Sequence, residues 1–456
     1  MRGPVWKRTG FFRFGFVNTK PTHKFSNGFE GIICHVVRPK TVPVDKTYLC
    51  AFSATQLMFT KLYLQAGRDE AVRRFHPWVF SRAISRYEGD LNDGDVVEVF
   101  DNKSNYLATG HYHDGSIAVR LFSFNANAGG PVTPDVPYWT NKLNRICTIR
   151  QAIITSTTNC YRLVHGEGDG CTGLIIDMYN GVAVLQAHSI GMHRERELIT
   201  EALKNVFGDE LTAVYDKSAE TLPNEYGNAV TNEYLFGRTP VPHPVQENGC
   251  TFLVDWITGQ KTGFFLDQRD NRDLLAKYSA GKRVLNAFCY SGGFSVYALG
   301  AGASLVHSVD ASQKAVDLTN QNVAANVGDG QATGQHEAYA DDVMGFLKKH
   351  DHQYDVVVLD PPAYAKSLSA RHRAVQGYKR LNAEGLRRVA TGGILFTFSC
   401  SQVVDRELFY NTIVAAAIEA GRQVRVLHHL SQPADHPVSL FHPEGGYLKG
   451  LVLWVE

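Results

Sequence analysis

Residues 247–456 alternate short apolar strands with helical segments, and this alternation constrains the fold more than any other feature of the chain. Helical segments separate the first five strands, which is the pattern of a parallel sheet covered by helices. The last two strands lack a helix between them, so we expect them to pair antiparallel at one edge. The seven segments are RVLNAF, SLVHSVD, HEAYA, YDVVVLD, GILFTFS, QVRVLHHL and GLVLWVE. The sequence therefore predicts an α/β, doubly wound fold around a seven-stranded, mostly parallel sheet.

Two smaller modules precede this sheet. Residues 59–125 contain short strands bounded by Gly, Asp and Asn, which predicts a small β-barrel. Residues 125–137 are rich in Gly, Pro and Asn and form a predicted linker. Residues 138–245 combine strands with two helical segments, one of them rich in Arg and Lys, and indicate an α+β module.

The N-terminal extension, residues 1–57, has a different composition. Its first 46 residues hold nine Lys and Arg against two acidic residues, with no clear period. We consider three interpretations: a disordered basic arm, an organelle transit peptide, or a segment upstream of the true start. Met58 lies just before the first periodic segment and would serve as that start.

Composition excludes several classes of protein. Lys and Arg total 46 against 45 Asp and Glu, so a nucleic-acid-binding surface would have to be local. No apolar run is long enough for a membrane-spanning helix. The eight cysteines form no CxxC pair, so the spacing of a disulfide framework or a zinc site is missing. We expect a cytoplasmic protein without a metal centre.

The stretch VLNAFCYSGGFS, residues 284–295, predicts a ligand-binding loop. A strand runs into a glycine-rich turn and then a helix, whose first N–H groups are free to bind a ligand. Gly292 and Gly293 allow the backbone to approach that ligand closely. The stretch does not match G-x-G-x-x-G, which weakens a dinucleotide interpretation.

Acidic residues follow the next two strands. Asp310 ends the second strand, where a carboxylate can bind the ribose hydroxyls of a nucleoside. Asp341 and Asp342 follow the third strand. Either could cap the next helix or reach an adenine amino group, and the sequence leaves both interpretations open.

Polar residues also follow the fourth and fifth strands. Asp360 precedes two prolines that stiffen the next loop, and Tyr364 on this loop could stack on a planar base. Cys400 follows the fifth strand at the same edge, where a lowered pKa would favour its thiolate. Lys366 is the candidate cation for that effect, and an inert packed cysteine is the alternative.

A last stretch, GQKTGFFLDQRDNR at residues 259–272, leads into the sheet. Phe264 and Phe265 could cover an adenine ring, and Arg269 could bind a carboxylate. The competing interpretation is an entry helix with solvated charges.

In this order, KTGFFLDQRDNR, NAFCYSGGFS, VDAS, DPPAYAKS and FSCSQ resemble the class I S-adenosylmethionine-dependent RNA methyltransferases, which have a Rossmann-like domain. They resemble most closely the large-subunit (23S) ribosomal RNA cytosine-5 methyltransferases that carry an N-terminal PUA domain. The segments AGRDEAVRRFHPWVFSRAI and LNDGDVVEVFDNKSNYLATGHYHDGSIAVRLFSF look like that PUA domain. The resemblance covers residues 59–456.

The resemblance implies S-adenosylmethionine as cofactor, large-subunit ribosomal RNA as partner, and no metal. It implies that Cys400 is the nucleophile and that Asp360 lies near the target base. A homodimer is a further candidate assembly. The residues expected around the cofactor are Phe264, Arg269, Asn286, Phe288, Cys289, Ser291, Gly292, Gly293, Asp310, Asp341, Asp342 and Asp360. The residues expected at the RNA are Arg68, Arg73, Arg74, Arg82, Tyr364 and Lys366.

Two departures and three alternatives qualify this prediction. Ala363 separates the prolines from the aromatic residue in DPPAY, which counts against amino-group methylation of adenine. Cys289 is a second thiol near the cofactor loop. The alternatives are a nucleotide-binding oxidoreductase, a non-catalytic RNA-binding protein, and a methyltransferase that acts on another RNA or another atom.

Overall fold

The computed structural model describes residues 59–327 and 334–456, so the predictions for the N-terminal extension lie outside the described residues. The described chain begins with a six-stranded sheet in the order β2-β6-β5-β4-β1-β3. A 3-10 turn, Ser81–Ala83, connects its two edge strands, so the sheet must curl towards a barrel. Its elements are β1 (Thr60–Leu64), α1 (Glu70–Arg73), β2 (Trp78–Phe80), β3 (Ile84–Glu88), β4 (Val96–Phe100), β5 (Tyr106–Tyr112), β6 (Ile117–Phe124) and α2 (Asn125–Ala128).

A five-stranded sheet in the order β11-β10-β9-β8-β7 follows. Strands β7 to β9 form an antiparallel meander, and β10 pairs parallel to β9. Sequence reasoning found β8 and β9 but missed the other three strands, which are short or mix apolar with polar residues. The elements are α3 (Val136–Ile153), β7 (Cys160–His165), β8 (Leu174–Tyr179), β9 (Val182–Ala187), α4 (Ile190–Arg194), α5 (Arg196–Phe207), β10 (Ala213–Asp216), α6 (Asn224–Gly227) and β11 (Glu233–Gly237).

The third sheet has seven strands in the order β16-β15-β14-β17-β18-β20-β19, and a two-stranded hairpin of β12 and β13 leads into it. Its first five strands are parallel, while β20 runs antiparallel to both β18 and β19. The elements are β12 (His243–Glu247), β13 (Cys250–Val254), α7 (Arg269–Ala276), β14 (Arg283–Ala287), α8 (Gly293–Gly300), β15 (Leu305–Asp310), α9 (Gln313–Val327), β16 (Gln335–Ala340), α10 (Val343–Lys349), β17 (Tyr354–Leu359), α11 (Arg371–Arg388), β18 (Val389–Ser399), α12 (Arg406–Ala420), β19 (Val424–Leu430) and β20 (Lys449–Val455).

This sheet confirms the predicted fold class. Four of the parallel strands, β14, β15, β17 and β18, are largely buried because helices cover both of their faces, whereas the edge strand β16 is polar and partly exposed. The predicted antiparallel pair of the last two strands is also confirmed. Strand β19 forms the edge of the sheet, and β20 lies between β18 and β19. No helix among the described residues is both long and apolar enough to cross a membrane.

A buried ion pair ties the hairpin to the helix that precedes the sheet. Arg272 on α7 donates to both carboxylate oxygens of Glu247, at 2.8 and 2.7 Å. Both side chains are almost fully buried, and the Tyr297 hydroxyl on α8 donates to the same carboxylate at 3.0 Å. This cluster therefore fixes α7 and α8 against the hairpin, beneath the loop that follows β14.

Candidate active site

The loop between β14 and α8 has an unusual backbone. Phe288 and Tyr290 adopt positive φ angles of 63° and 45°, which L-residues rarely adopt. Gly292 also lies in this region, and a Cβ atom there would come within 2.7 Å of Thr319. A Cβ on Gly293 would come within 2.9 Å of Arg272. Close packing on α9 and α7 thus accounts for both glycines without a ligand, and the non-glycine positive φ angles are typical of a functional loop.

The Asp310 carboxylate, at the end of β15, is fixed beside this loop. It accepts hydrogen bonds from the backbone N–H groups of Tyr290 at 3.1 Å and Ser312 at 2.9 Å. A carboxylate offers about four acceptor positions, so Asp310 can accept further hydrogen bonds from a ligand.

The two aspartates after β16 have different environments. Asp342 caps α10, and its carboxylate accepts from the Gly345 N–H group at 2.7 Å. The Asp341 N–H group donates to the backbone carbonyl of Asp310 at 3.0 Å. Asp341 therefore lies beside Asp310, at the edge of the sheet where the parallel strands end. The capping interpretation therefore applies to Asp342, and Asp341 is the better candidate for adenine.

Two carboxylates meet at the end of β17. Burial, together with the nearby charge of Asp267, raises the pKa of Asp360 to about 7, against a partly compensating hydrogen bond from Gln268. Asp267 accepts a hydrogen bond from the Tyr447 hydroxyl at 2.6 Å. Its other oxygen is buried and has no hydrogen-bond partner among the described residues. Asp360 can therefore hold or release a proton near neutral pH.

Cys400 lies in the same pocket, directly after β18. Burial raises the pKa of this half-buried thiol to about 11, and the charges of Asp360 and Asp267 act in the same direction. The condition for a thiolate, a lowered pKa of Cys400, is therefore not met by the surrounding protein groups. The cation that favours the thiolate is Lys449 on β20, and Lys366 is exposed on its loop.

Lys449 is a buried lysine held in a fixed position. Its ammonium group donates to the backbone carbonyls of Ser401 and Tyr447, both at 2.8 Å. It stands opposite Ser399 in the antiparallel register of β18 and β20, next to Cys400. Burial lowers the pKa of Lys449 to about 8, while the thiol of Cys400 acts to raise it. A lysine in this environment can exchange a proton near neutral pH.

The pKa of Asp360 predicts a pH dependence of stability. Its folded-state pKa of about 7 lies above the ordinary value of 3.8, so the folded state binds more protons between these values. Stability from this group is therefore present at low pH and is lost as pH rises through that window. The free energy of unfolding in urea should fall between pH 4 and 7, and we expect Asp360→Asn to make this fall smaller by about 2 kcal/mol. Asp209→Asn, at an exposed site, is the control, and equal slopes for both variants would contradict the prediction.

Comparison with known proteins identifies the family. The S-adenosylmethionine-dependent methyltransferase family matches residues 161–439, and a PUA-like domain matches residues 62–124. The ribosomal RNA large subunit methyltransferase I of Aeromonas hydrophila is 39% identical over 403 residues, covering 87% of this chain and 99% of the relative. The chain belongs to this methyltransferase family. The protein of the same name from Escherichia coli is 37% identical, covering 86% of this chain and 98% of the relative.

Solved structures agree with the fold of the family. One, described as an S-adenosylmethionine-dependent methyltransferase from Streptococcus mutans, superimposes with a TM-score of 0.71 at 24% identity. It covers 86% of this chain, and 99% of its own chain is matched. Another, described as a methyltransferase complexed with SAH, gives a TM-score of 0.72 over the same shares. Because the family uses S-adenosylmethionine, this is the cofactor of the protein, and the free acceptor positions of Asp310 fit its ribose.

Three residues predicted near the cofactor have partners inside the protein. The Phe264 ring packs in the core, 4.8 Å from the Phe252 ring centre. Asn286 donates to the Ser295 hydroxyl at 2.8 Å, in a buried network. Arg269 binds both carboxylate oxygens of Asp435, at 2.9 and 2.7 Å. These contacts give no support for direct binding of the cofactor by the three side chains.

The other predicted residues of the cofactor loop, Cys289, Ser291 and Phe288, are buried or half-buried. Cys289 accepts a hydrogen bond from the Thr319 hydroxyl at 3.4 Å, and burial raises its pKa to about 12. These contacts are those of a packed side chain, and Cys289 is more deeply buried than Cys400. Ser291 is buried, and its carbonyl accepts from Asn322 at 2.7 Å. Phe288 is half-buried beside the core of the large sheet and remains a candidate for cofactor contact.

The residues predicted to bind RNA differ in how much of their surface is available. Arg73 pairs with Asp69 at 2.5 Å and Asp101 at 2.8 Å, so its charge is compensated within the module. Arg74 pairs with Glu70 but is largely exposed, and Arg68 and Arg82 are exposed. Exposed arginines remain available to phosphate groups.

The Tyr364 ring already has an aromatic neighbour. It lies 4.6 Å from the Tyr378 ring centre and packs against Gly377, and burial raises the pKa of Tyr364 to about 12. One face is thus occupied by the protein, which fixes the ring in place. Stacking on a target base would have to use its remaining surface.

Sequence reasoning missed three residues of the pocket: Asp267, Tyr447 and Lys449. Asp267 lies within the stretch at residues 259–272, in which the aromatic and basic residues are the stronger signals for a ligand. Lys449 lies just before an apolar strand, a position that often has no function. Only the antiparallel register with β18 brings it to Cys400.

Proposed function

We propose that the protein transfers a methyl group from S-adenosylmethionine to C5 of a cytosine in large-subunit ribosomal RNA, through a covalent bond between Cys400 Sγ and C6. The observation that carries this proposal is the grouping of Cys400, Asp360 and Lys449 in one pocket beyond the strand ends. The names of the relatives supply the class of RNA, and the PUA-like domain supplies a surface for it.

The thiol is the group that makes C5 reactive. Carbon C5 of cytosine is a poor nucleophile, so addition of Sγ to C6 is needed to break the C5–C6 double bond and place electron density on C5. With a pKa of about 11, Cys400 rests as a thiol and must lose its proton as it adds. Lys449, in its neutral form, can accept this proton because its pKa is about 8.

Asp360 is the second group of the pocket that can assist the addition. In its protonated form it can donate to N3 of cytosine as negative charge develops there. Protonation of Asp360 also removes a negative charge that disfavours the Cys400 thiolate. One proton on Asp360 therefore assists both partners of the addition.

S-adenosylmethionine, when bound, would supply to C5 an electrophilic methyl group on a positively charged sulfur atom, and that sulfur would keep the electron pair of the broken carbon–sulfur bond. Asp267 then accepts the C5 proton, the C5–C6 double bond forms again, and Cys400 Sγ leaves with its electron pair. Sγ takes back the proton held by Lys449, and the proton shared with N3 stays with Asp360. The target nucleotide must leave its stack to reach this pocket.

A methyl-transfer assay tests the proposal. Labelled S-adenosylmethionine is mixed with unmodified large-subunit ribosomal RNA, and the product is digested to nucleosides. We expect the label in 5-methylcytidine, and small-subunit ribosomal RNA serves as the control substrate. Label in another nucleoside, or only in the control RNA, would overturn the proposed atom or substrate while leaving a methyltransferase.

A cytoplasmic location and a homodimer stay predictions.

A further inference from the structure

A cluster of potential metal ligands lies outside the methyl-transfer pocket. His76 precedes β2, while His442 and Glu444 belong to the segment between β19 and β20. One ligand atom from each of the three side chains lies within 4.8 Å of the others. Sequence spacing could not indicate this cluster, because His76 and His442 belong to distant parts of the chain.

His442 is the most informative member. It is only 4% exposed, and neither of its ring nitrogens has a hydrogen-bond partner among the described residues. A buried polar group without a partner costs about 1–3 kcal/mol, so such groups normally have one. Its Nε2 lies 3.8 Å from a carboxylate oxygen of Glu444. The imidazole is therefore available for a ligand that the protein itself does not provide.

His76 is held by the backbone of Trp78. Its Nδ1 accepts from the Trp78 N–H group at 3.2 Å and lies 3.3 Å from the Trp78 carbonyl oxygen. Nε2 therefore carries the proton of the neutral ring, and a metal ion could bind there only after this proton leaves or moves to Nδ1, where the Trp78 carbonyl can accept it. Phe75, just before it, holds a positive φ angle of 62°, so the backbone is strained at this position.

The surroundings hold the two histidines together and add negative charge. The Trp78 ring lies 4.4 Å from the His442 ring centre, and the rings of His76 and His442 are 5.6 Å apart. The Trp78 indole N–H group donates to Glu167 at 3.0 Å, which brings a second carboxylate near the cluster. Packing therefore fixes the histidines, and the local charge favours a cation.

We propose that His76, His442 and Glu444 form a binding site for a divalent transition-metal ion, with zinc the ion that best suits two imidazoles and one carboxylate. Ligand atoms around tetrahedral zinc lie about 3.3 Å apart, so the cluster must contract on binding. Glu444 is exposed and free to make most of this movement. Three protein ligands leave a fourth position for water.

The ion would join two parts of the protein. His76 belongs to the six-stranded sheet module, and His442 lies on the segment that leads to Tyr447 and Lys449. An ion bound to both His76 and His442 would therefore restrain the segment that leads to the pocket residues Tyr447 and Lys449. The ion is a structural link in this proposal and takes no part in methyl transfer.

Zinc binding by the full-length protein tests this proposal without any activity measurement. The protein is stripped with a chelator and titrated with Zn²⁺ alone, and affinity is measured with a competing chromophoric chelator. We expect His442→Gln and His76→Gln each to bind one zinc ion fewer than the wild type under these conditions, because zinc binding at this site becomes at least about ten-fold weaker. His372→Gln, an exposed histidine on α11, is the matched control. Zinc bound at other sites of the chain is the same in the wild type and in all variants, so it does not affect this comparison.

A second variant keeps the test decisive if a buried histidine cannot be replaced without unfolding. Glu444→Gln alters an exposed side chain, so the melting temperature of the stripped protein should not change. We expect zinc to raise the melting temperature of the wild type more than that of Glu444→Gln. Co²⁺ should give a tetrahedral absorption spectrum that His76→Gln loses. Equal zinc affinity in the wild type, His76→Gln and Glu444→Gln would overturn the site.

Discussion

Cys400→Ala is expected to lower the rate of methyl transfer to ribosomal RNA by at least about 1,000-fold, because C5 of cytosine then lacks covalent activation. The change removes only a half-buried sulfur atom, so cofactor binding and folding should persist. The measurement is the initial rate at saturating S-adenosylmethionine and RNA. Cys147→Ala is the matched control, since burial raises the pKa of that thiol to about 11 as well, yet it lies on α3.

A trapped complex distinguishes loss of the nucleophile from indirect damage. RNA containing 5-fluorocytidine cannot release a proton from C5, so the adduct with Cys400 should persist after methyl transfer. We expect a denaturation-resistant protein–RNA complex with the wild type and with Cys147→Ala. Full activity of Cys400→Ala, with 5-methylcytidine still formed, would eliminate the adduct and leave Cys400 as a packing residue.

Arg272→Met is expected to destabilise the protein by about 3–5 kcal/mol, the usual cost of leaving one member of a buried ion pair without its partner. Glu247 is fully buried and depends on Arg272 for two hydrogen bonds. The free energy of unfolding in urea measures the effect. Arg387→Met breaks an exposed pair with Glu384 and should cost less than about 1 kcal/mol.

The double variant Arg272→Met, Glu247→Leu gives an independent check. Removing both charges should restore part of the lost stability, since no buried charge is then left without compensation. If the double variant is less stable than Arg272→Met alone, the loss comes from packing against Phe264 and Gly293 instead.

The sequence predicts the parts of this protein that depend on local pattern. Apolar strands separated by helices indicate a parallel sheet, and Asp310, Asp360 and Cys400 follow strands whose ends must meet at one edge. The chemical environment of these groups depends on contacts between distant segments. Burial raises the pKa of Cys400, whereas the sequence could name only the condition, a lowered pKa, under which a thiolate would form.

Partners supplied by the fold account for the other differences. Arg269 has the charge and position to bind a ligand carboxylate, yet Asp435 occupies it. Lys449 acquires its significance only through pairing across the sheet. No pattern in one sequence shows which charges will meet, because that depends on strand register and on loop geometry.

The interior position of β20 has a consequence for how the chain folds during its synthesis. Strand β19 is made first, yet within the described sheet its one partner is β20, which follows it. Until β20 emerges, β19 has no neighbour to pair with, and Cys400 is without the lysine that lies beside it in the finished protein. The edge of the sheet and the chemistry of the pocket are therefore completed in one step, and a nascent chain that stops short of β20 would hold the thiol but remain inactive.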